Sequence, residues 1–388
     1  MYLTDGYWTL QVIADKEIKK EIYFTVEDES VLKLRGVDRH GLGEFTTIGL
    51  GTTKVYASPY RGSSIVAEIE VTVEVEPPPP HTQFYGSGTE DDPYQINEKY
   101  DLLLLKDKTT PRYGVEQEYY TNKYFELRSN ITFEDYEWEG YIARFDGVFD
   151  GNGYSIKVGK VERDMSSGFF GKIDINGEIK NLSVDIDVET VLRNESWTAN
   201  DDYAVLAISN YGKIQNCIIT GSIVVQDYVF KQKRYVMVGG ITPWNEGIIS
   251  NCLVDVEITL NGNGSMMVGG LVGNLRGGKV ENSVFIGSIK CEKQPDDLYG
   301  VGILIGWDQS SLGNIHLDNV YYDFIKVDNR TESEKELYDI PNEICGIRYT
   351  DTPLNAFGVS DWSTVDFFSW DQELWDFSGE VPKLKLFQ

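Results

Sequence analysis

Gly177-Glu-Ile-Lys-Asn181, Gly212-Lys-Ile-Gln-Asn216, Gly247-Ile-Ile-Ser-Asn251 and Gly278-Lys-Val-Glu-Asn282 are four copies of one unit, Gly-x-Ile/Val-x-Asn. Their asparagines step by 35, 35 and 31 residues (181 to 216, to 251, to 282), and a degenerate copy, Gly313-Asn-Ile-His-Leu-Asp-Asn319, follows 37 later. Self-similarity at such a period means a solenoid. After each asparagine the apolar residues alternate, as in Leu182, Val184, Ile186, Val188 and in Cys252, Val254, Val256, Ile258, Leu260. Period two means strand. Before the asparagine, Ile179, Ile214, Ile249 and Val280 sit two residues upstream, so the inward phase slips by one residue there. Asparagine tolerates left-handed backbone and bonds neighbouring peptides with its amide. Asn181, Asn216, Asn251 and Asn282 are therefore expected to bend the chain between two sheets. Stacked coils would hold their amides about 4.8 Å apart as a structural ladder.

A second strand precedes each unit: Gly168-Phe-Phe-Gly171, Ala204-Val-Leu-Ala-Ile208, Val238-Gly-Gly-Ile241, Val268-Gly-Gly-Leu-Val-Gly273 and Val301-Gly-Ile-Leu-Ile-Gly306. Each coil then carries two clear strands and a variable third, with glycines at tight corners. The ends of such a stack need covers, because an open last coil would pair with another chain. Asn97-Glu-Lys-Tyr-Asp-Leu-Leu-Leu-Leu-Lys106 predicts a short helix, capped by Asn97, that plugs the first coil. Residues 323–388 lose the period and carry Trp362, Trp370 and Trp375, enough aromatic area to cover the last coil.

Working outward from the repeat, Pro77-Pro78-Pro79-Pro80 marks a boundary and predicts a stiff polyproline II spacer. Before it, alternating segments such as Glu21-Ile-Tyr-Phe-Thr-Val26 and Thr53-Lys-Val-Tyr-Ala57 lie between glycine and aspartate turns, the pattern of a small β-sandwich. The expected fold is all-β: a sandwich over residues 1–76, a linker over 77–83, and a right-handed parallel β-helix over 84–322. The β-helix opens with a cap at 84–125 and is followed by a capping region at 323–388.

Two resemblances refine this reading. Ser30-Val31-Leu32, the turn at Gly41 to Gly43, Gly49-Leu-Gly-Thr-Thr-Lys-Val-Tyr-Ala57 and Val71-Thr-Val73 resemble a bacterial Ig-like domain of group 2 over residues 7–75, though the usual long stretch before the first strand is missing. The resemblance implies a spacer or attachment module, as on bacterial surfaces and phage particles. Val-Gly-Gly-Leu-Val-Gly combined with Gly-x-Ile-x-Asn-Cys resembles the GLUG-repeat proteins of bacterial surfaces over about residues 84 to 388. Gly86-Ser-Gly-Thr-Glu-Asp-Asp-Pro-Tyr94 and Phe145-Asp-Gly-Val-Phe-Asp-Gly-Asn-Gly-Tyr-Ser-Ile156 look like that family's opening segment and first coil, and Trp375-Asp-Phe-Ser-Gly-Glu-Val-Pro-Lys383 like its closing segment. Ala204-Val-Leu-Ala departs from its Val-Gly-Gly-Leu. The resemblance implies a fold and says little about activity.

Composition narrows the function classes. At 388 residues the chain exceeds one ordinary compact core, and 24 tyrosines, 38 glycines and 5 methionines suit strands and turns. A formal net charge of −27, from 62 acidic against 35 basic side chains, argues against a nucleic-acid or anionic-membrane partner. Four cysteines without a Cys-x-x-Cys or Cys/His cluster give neither a disulfide scaffold nor a zinc site. No apolar run reaches the roughly 18 residues of a membrane span. The start, Met1-Tyr-Leu-Thr-Asp-Gly-Tyr-Trp8, lacks the features of a secretory signal. The expectation is a mature or truncated form, or export inside an assembled virus particle.

Catalytic constellations are scarce. The acidic pairs Asp91-Asp92, Asp201-Asp202 and Asp296-Asp297 are the candidates for a polysaccharide hydrolase or lyase, since an inverting hydrolase needs two carboxylates about 6.5–9.5 Å apart. The Asn-Thr-Asp and Gly-His-Gly segments of the β-helix pectinases are absent. Lys231, Lys233 and Arg234 form one basic cluster, read as a loop tip. Three histidines, His40, His81 and His316, give a nucleophile triad little to draw on. Cys217 and Cys252 occupy equivalent positions beside Leu182 and Ser283, an inward ladder of small residues. Tyr211, Trp244 and Trp307 all follow the glycine-rich strand, so they are expected to line one edge of the solenoid, where aromatic rings can stack on sugars.

The expected function is therefore a non-catalytic displayed protein, virion-attached or on a bacterial surface, that requires no cofactor and no metal. The Ig-like module would hold a phage capsid or tail, or a bacterial envelope, and the β-helix would touch a host-surface glycan. The alternative is the polysaccharide hydrolase or lyase.

Overall fold

The computed structural model describes residues 8–10, 22–37, 42–63, 66–73, 82–111, 118–163, 166–190, 201–226, 235–261, 265–291, 300–309, 317–323, 345–348, 356–367 and 369–387. The chain forms two compact units, Met1–Pro78 and Pro79–Gln388. The division falls within the proline run, which itself lies outside the described residues.

The first unit has two antiparallel sheets. One orders Trp8–Leu10, Gly43–Thr47 and Leu32–Val37; the other orders Tyr23–Val26, Gly51–Ser58 and Ala67–Val73. Thr53, Val55 and Ala57 alternate inward along one strand, as period two requires. They share a core with Phe24, Leu32, Phe45 and Val71, in which the Phe24 and Phe45 rings meet edge to face at 5.6 Å.

The second unit is a right-handed parallel β-solenoid of about six turns. A corner sheet climbs from Tyr94–Ile96 through Glu178–Lys180, Lys213–Gln215, Ile248–Ser250 and Lys279–Glu281 to Leu317–Asp318. A long sheet stacks Ser155–Arg163, Ser183–Thr190, Ile218–Val225 and Leu253–Leu260. A flank sheet stacks Ile142–Phe145, Phe170–Ile173, Ala207–Asn210, Thr242–Asn245, Val272–Leu275, Ile305–Asp308 and Cys345–Arg348. One continuous core fills the space between them.

The repeated asparagine makes the corner between the first two sheets. Asn181, Asn216, Asn251, Asn282 and Asn319 have φ of 55°, 55°, 53°, 45° and 53°, the left-handed region that asparagine tolerates best among residues with a side chain. Asn216 Nδ2 donates to Asn181 Oδ1 at 3.0 Å and Asn319 Nδ2 to Asn282 Oδ1 at 3.4 Å. Asn181 donates in turn to Asp150 Oδ1 at 2.9 Å, in the coil below. Directly inside runs the fully buried column Leu182, Cys217, Cys252, Ser283. Cys217 Sγ, Cys252 Sγ and Ser283 Oγ donate to the carbonyls of Gln215, Ser250 and Glu281. Those carbonyls also accept the N–H groups of Asn181, Asn216 and Asn251. A small donor after the asparagine thus engages a carbonyl that already bonds the neighbouring coil.

The glycine-rich segment differs from its sequence reading. Val-Gly-Gly spans not one strand but the end of one and a corner into the next. Asp201–Tyr203, Tyr235–Gly239, Ser265–Gly269 and Val301–Gly302 form a separate four-stranded sheet, and the flank strands begin after two or three intervening residues. The corner has no room for a side chain: a Cβ on Gly240 would stand 2.3 Å from the Gly270 carbonyl oxygen, and one on Gly270 2.5 Å from that of Ile303.

At the first coil the helix spans Lys99–Thr109, and its N-cap is Glu98 rather than Asn97. The reason is Asp101, whose Oδ2 reaches back to the N–H groups of Asn97 and Glu98, the reciprocal half of a capping box. Leu102 and Leu105 enter the solenoid core.

The tryptophans near the other terminus lie along a side of the solenoid. In-register pairing makes an outward column on the long sheet of Ser155, Ser183, Ile218, Leu253, Val284, Tyr321 and Phe357. Phe367, Trp370, Trp375 and Leu384 pack over Ile218, Leu253, Val284 and Tyr321 of that column, joined by Trp362 and Phe377 at its margin, while Phe357 stays exposed. The Trp370 ring lies 5.6 Å from Tyr321 and 4.9 Å from Trp375. Leu386 reaches back to the turn at Gly153 in the first coils. The segment expected over the last coil is thus a strap along the long sheet, drawn there by outward apolar residues repeated coil after coil.

Candidate functional site

The flank sheet sets a second outward column. Its register stacks Arg144, Lys172, Ser209, Trp244, Asn274 and Trp307 one above another. Trp244 and Trp307 therefore share a column with Asn274 between them, and Tyr211 projects from the turn after its strand. Trp244, Trp307 and Tyr211 are all partly exposed. The Trp244 indole N–H donates to Glu246 Oε1 at 3.1 Å and also lies against the Tyr211 hydroxyl. Burial and the nearby Glu246 carboxylate push the Tyr211 hydroxyl pKa up, so it remains a neutral donor.

Cations sit on these rings. The Arg144 guanidinium lies 4.3 Å from the Tyr119 ring, Lys172 Nζ 4.6 Å from Tyr211, and the Arg276 guanidinium 4.7 Å from Trp244. Asp174 binds both Arg144, in a close ion pair, and Lys172 at 3.3 Å. Burial would raise the Asp174 carboxyl pKa, but the bonds from Arg144, the Ile175 N–H and Lys172 outweigh it and hold the group below its ordinary value. The sequence reading found Tyr211, Trp244 and Trp307 of this stripe and missed Tyr119 and the cations. Arg144, Lys172 and Arg276 lie far apart in sequence, and only aligning the coils brings them together.

Asn274 differs from its column neighbours in being 2% exposed. Its Nδ2 contacts Met237 Sδ at 4.0 Å and Gln309 Oε1 at 3.4 Å, while its Oδ1 is buried without a hydrogen-bond partner. Inside the same strands, Asn210 Nδ2 donates to Asn245 Oδ1 at 2.7 Å, and both side chains are fully buried. This is a second asparagine pair, built on inward positions of the flank sheet.

The candidate carboxylates separate. Asp201 and Asp202 are adjacent in one strand, so their side chains leave opposite faces. Asp201 pairs with Val236 and Asp202 with Met237. Burial first, and the Asp201 charge second, push the Asp202 carboxyl up to about 7, and its Oδ1 is buried without a partner. Asp92 is a turn residue: its Oδ2 accepts from the Ser87 N–H at 2.9 Å and its carbonyl from Ser87, Gly88 and Thr89. Asp296-Asp297, the Lys231, Lys233, Arg234 cluster, and His40, His81 and His316 lie outside the described residues. Cys217 is held protonated, its pKa driven up by burial and then by its bond with Cys252, which removes it as a nucleophile. Among the described residues no cluster of His, Cys, Asp and Glu has the arrangement of a metal site, and no helix is long and apolar enough to cross a membrane.

No family model matches the chain. Over 152 residues it is 29% identical to Halomucin from Haloquadratum walsbyi, a match that covers 36% of this chain and 2% of that protein. Among solved structures it is similar to a candidate immunoglobulin A1 protease from Bacteroides ovatus, with 14% identity and a TM-score of 0.40 over 78% of this chain and 94% of the other. A likeness that distant carries no argument about activity.

Proposed function

We propose that this protein is a non-catalytic displayed protein whose solenoid contacts glycans through the stripe around Tyr211, Trp244 and Trp307. The observation that carries the reading is a column of partly exposed rings on one outward face, while the chain's own strap covers another such face. Partly exposed rings with polar rims suit sugar faces. The first unit, with its likeness to group 2 Ig-like domains, serves in this reading as the attachment module for a phage capsid or tail, or for a bacterial envelope. The solenoid belongs with the GLUG-repeat surface proteins, and the molecule works on a virion or cell surface. A glycan array and intact bacteria, probed with the full chain and with the Trp244→Ala, Trp307→Ala double variant, test the recognition step. Binding that weakens at least tenfold in the variant supports it; no binding to either target sinks it.

One observation favours the enzymatic alternative, the near-neutral Asp202 carboxyl, since a general acid works best with a pKa near the operating pH. Its second carboxylate is the weakness, because Asp201 leaves the opposite face of the strand. New reducing ends or unsaturated sugars released from a capsule panel, and lost in Asp202→Asn, would establish that alternative. A panel without products removes it.

A further inference from the structure

We infer that the stripe is built for an acidic polysaccharide, a linear chain with carboxylates along its length, laid parallel to the solenoid axis. The inference rests on the glycan reading above and adds the charge class and the length of the ligand. Its basis is a series of three ring–cation pairs down one face: Tyr119 with Arg144, Lys172 with Tyr211, and Trp244 with Arg276. The Trp244 indole lies against the Tyr211 hydroxyl and so joins the last two pairs.

The charge balance of the stripe differs from that of the whole chain. Arg144, Lys172 and Arg276 stand against Asp174, Glu246 and the buried Asp146 in the turn below Asp174, which leaves the stripe near neutral on a molecule whose formal net charge is −27. Arg276 is exposed and makes no ion pair among the described residues. An anionic polymer is repelled by most of such a surface and least by this strip, where Arg276 carries an unpaired charge among the described residues. Stacking also prepares the cations. Whereas Arg144 already directs Nε and Nη2 at Asp174, the Arg276 guanidinium beside the Trp244 ring makes no ion pair among the described residues and keeps its N–H groups free to fork a carboxylate. Its side chain is already ordered before the ligand arrives, which lowers the entropic cost of binding.

The spacing selects a polymer. Arg144 and Lys172 are on adjacent coils, while Arg276 follows the strand three coils beyond Lys172. At about 4.8 Å per coil, Arg144 and Arg276 stand roughly 19 Å apart along the axis. A single sugar acid cannot meet both ends.

The test is titration of the full chain with alginate oligomers of increasing length, dextran of matched length, and a single-stranded DNA oligomer, at low and at high salt. Wild type should bind the alginate oligomers, more tightly as they lengthen until they span the stripe, and at least tenfold more weakly in high salt. Arg276→Gln and Lys172→Gln should each weaken that binding by threefold or more, and the double variant by tenfold or more. Unchanged unfolding midpoints in the variants would confine the loss to the stripe. Dextran binding equal to that of alginate and indifferent to the two variants overturns the charge assignment and leaves the glycan reading standing. Alginate binding that the variants leave unchanged places the site elsewhere and overturns the inference. DNA bound more tightly than alginate overturns it in favour of a nucleic acid. Binding to no polysaccharide overturns both this inference and the glycan reading.

Discussion

The long sheet and the flank sheet each present one outward column to the side of the same solenoid, and the two columns end differently. On the long sheet the column turns from Ser155 and Ser183 to Ile218, Leu253, Val284, Tyr321 and Phe357, and aromatic residues between Trp362 and Phe377 cover it from Ile218 to Tyr321, leaving Phe357 exposed at the end. On the flank sheet the column runs Arg144, Lys172, Ser209, Trp244, Asn274, Trp307, and Trp244 carries the Arg276 guanidinium instead of a strap. Aliphatic residues repeated on successive coils build a continuous apolar surface that is stable only when covered. Rings interleaved with charges tolerate water. The first column therefore serves stability, and the second is the one we propose for recognition.

The largest effect should come from breaking the strap. Trp375 is 1% exposed and packs on Trp370 at 4.9 Å. Trp375→Ala should cost about 3–5 kcal/mol, the usual penalty for emptying a tryptophan site, read as a fall in the denaturant midpoint. A cost below about 1 kcal/mol would mean that the strap merely rests on the sheet, and the division between a structural and a recognition column would fail.

Next comes the inward asparagine pair beneath the recognition column. Asn245→Ala removes the acceptor of the 2.7 Å bond from Asn210 Nδ2 and leaves a buried amide short of a partner. About 1–3 kcal/mol is expected, measured by the same unfolding curve. Asn216→Ala at the half-exposed corner should cost less in hydrogen bonding, because water can reach its neighbours. It also forces alanine into φ near 55°, at a cost of roughly 1–2 kcal/mol.

These pairs show why one ladder was legible in the sequence and the other was not. The corner asparagines sit in a fixed frame, Gly-x-Ile/Val-x-Asn, and the change of phase on either side announces a bend. Asn210 and Asn245 share a register position that holds Leu275 and Asp308 in the next two coils, so no repeating letter marks it. The strap was legible as an aromatic cover, but its place depends on which outward residues of other coils are apolar. The cations of the stripe were invisible for the same reason. Arg144, Lys172 and Trp244 align only after each coil is indexed from its own corner, and the intervening steps, 28 from 144 to 172 and 72 from 172 to 244, vary with loop length. The four-stranded sheet was missed because the whole Val-Gly-Gly segment was assigned to the one strand before each unit; the glycines do make a tight corner, as expected, but that corner separates two strands.

A pH-dependent effect comes from Asp202, paired with Met237 in the four-stranded sheet, one of whose strands touches the flank column where Asn274 meets Met237. Burial raises its carboxyl pKa to about 7, with Asp201 adding to the shift. Between the ordinary carboxylate value near 4 and about 7 the folded chain keeps this proton while the unfolded chain releases it. The folded state binds more protons, so stability falls as pH rises through that window, by at most about 1.4 kcal/mol per unit. Asp202→Asn should flatten this slope, and its thermal midpoint should exceed that of wild type at pH 8 but not at pH 4. Equal midpoints at both values would mean that the carboxyl titrates normally.

The smallest stability effect should be found on the stripe itself, and there it is the informative result. Arg276 is exposed and its contact is the Trp244 ring at 4.7 Å, an interaction worth about 0.5–1 kcal/mol at such a site. Arg276→Ala should therefore move the unfolding midpoint by no more than that, against several kcal/mol for Trp375→Ala in the strap. If Arg276→Ala or Trp244→Ala destabilised the solenoid as strongly as the strap variant does, the stripe would be a second structural seam, and the exposed rings would need no ligand to explain them. A near-silent stability change with a lost polysaccharide signal separates the two columns by function, because nothing but an outside partner then depends on the cations and rings of the flank sheet.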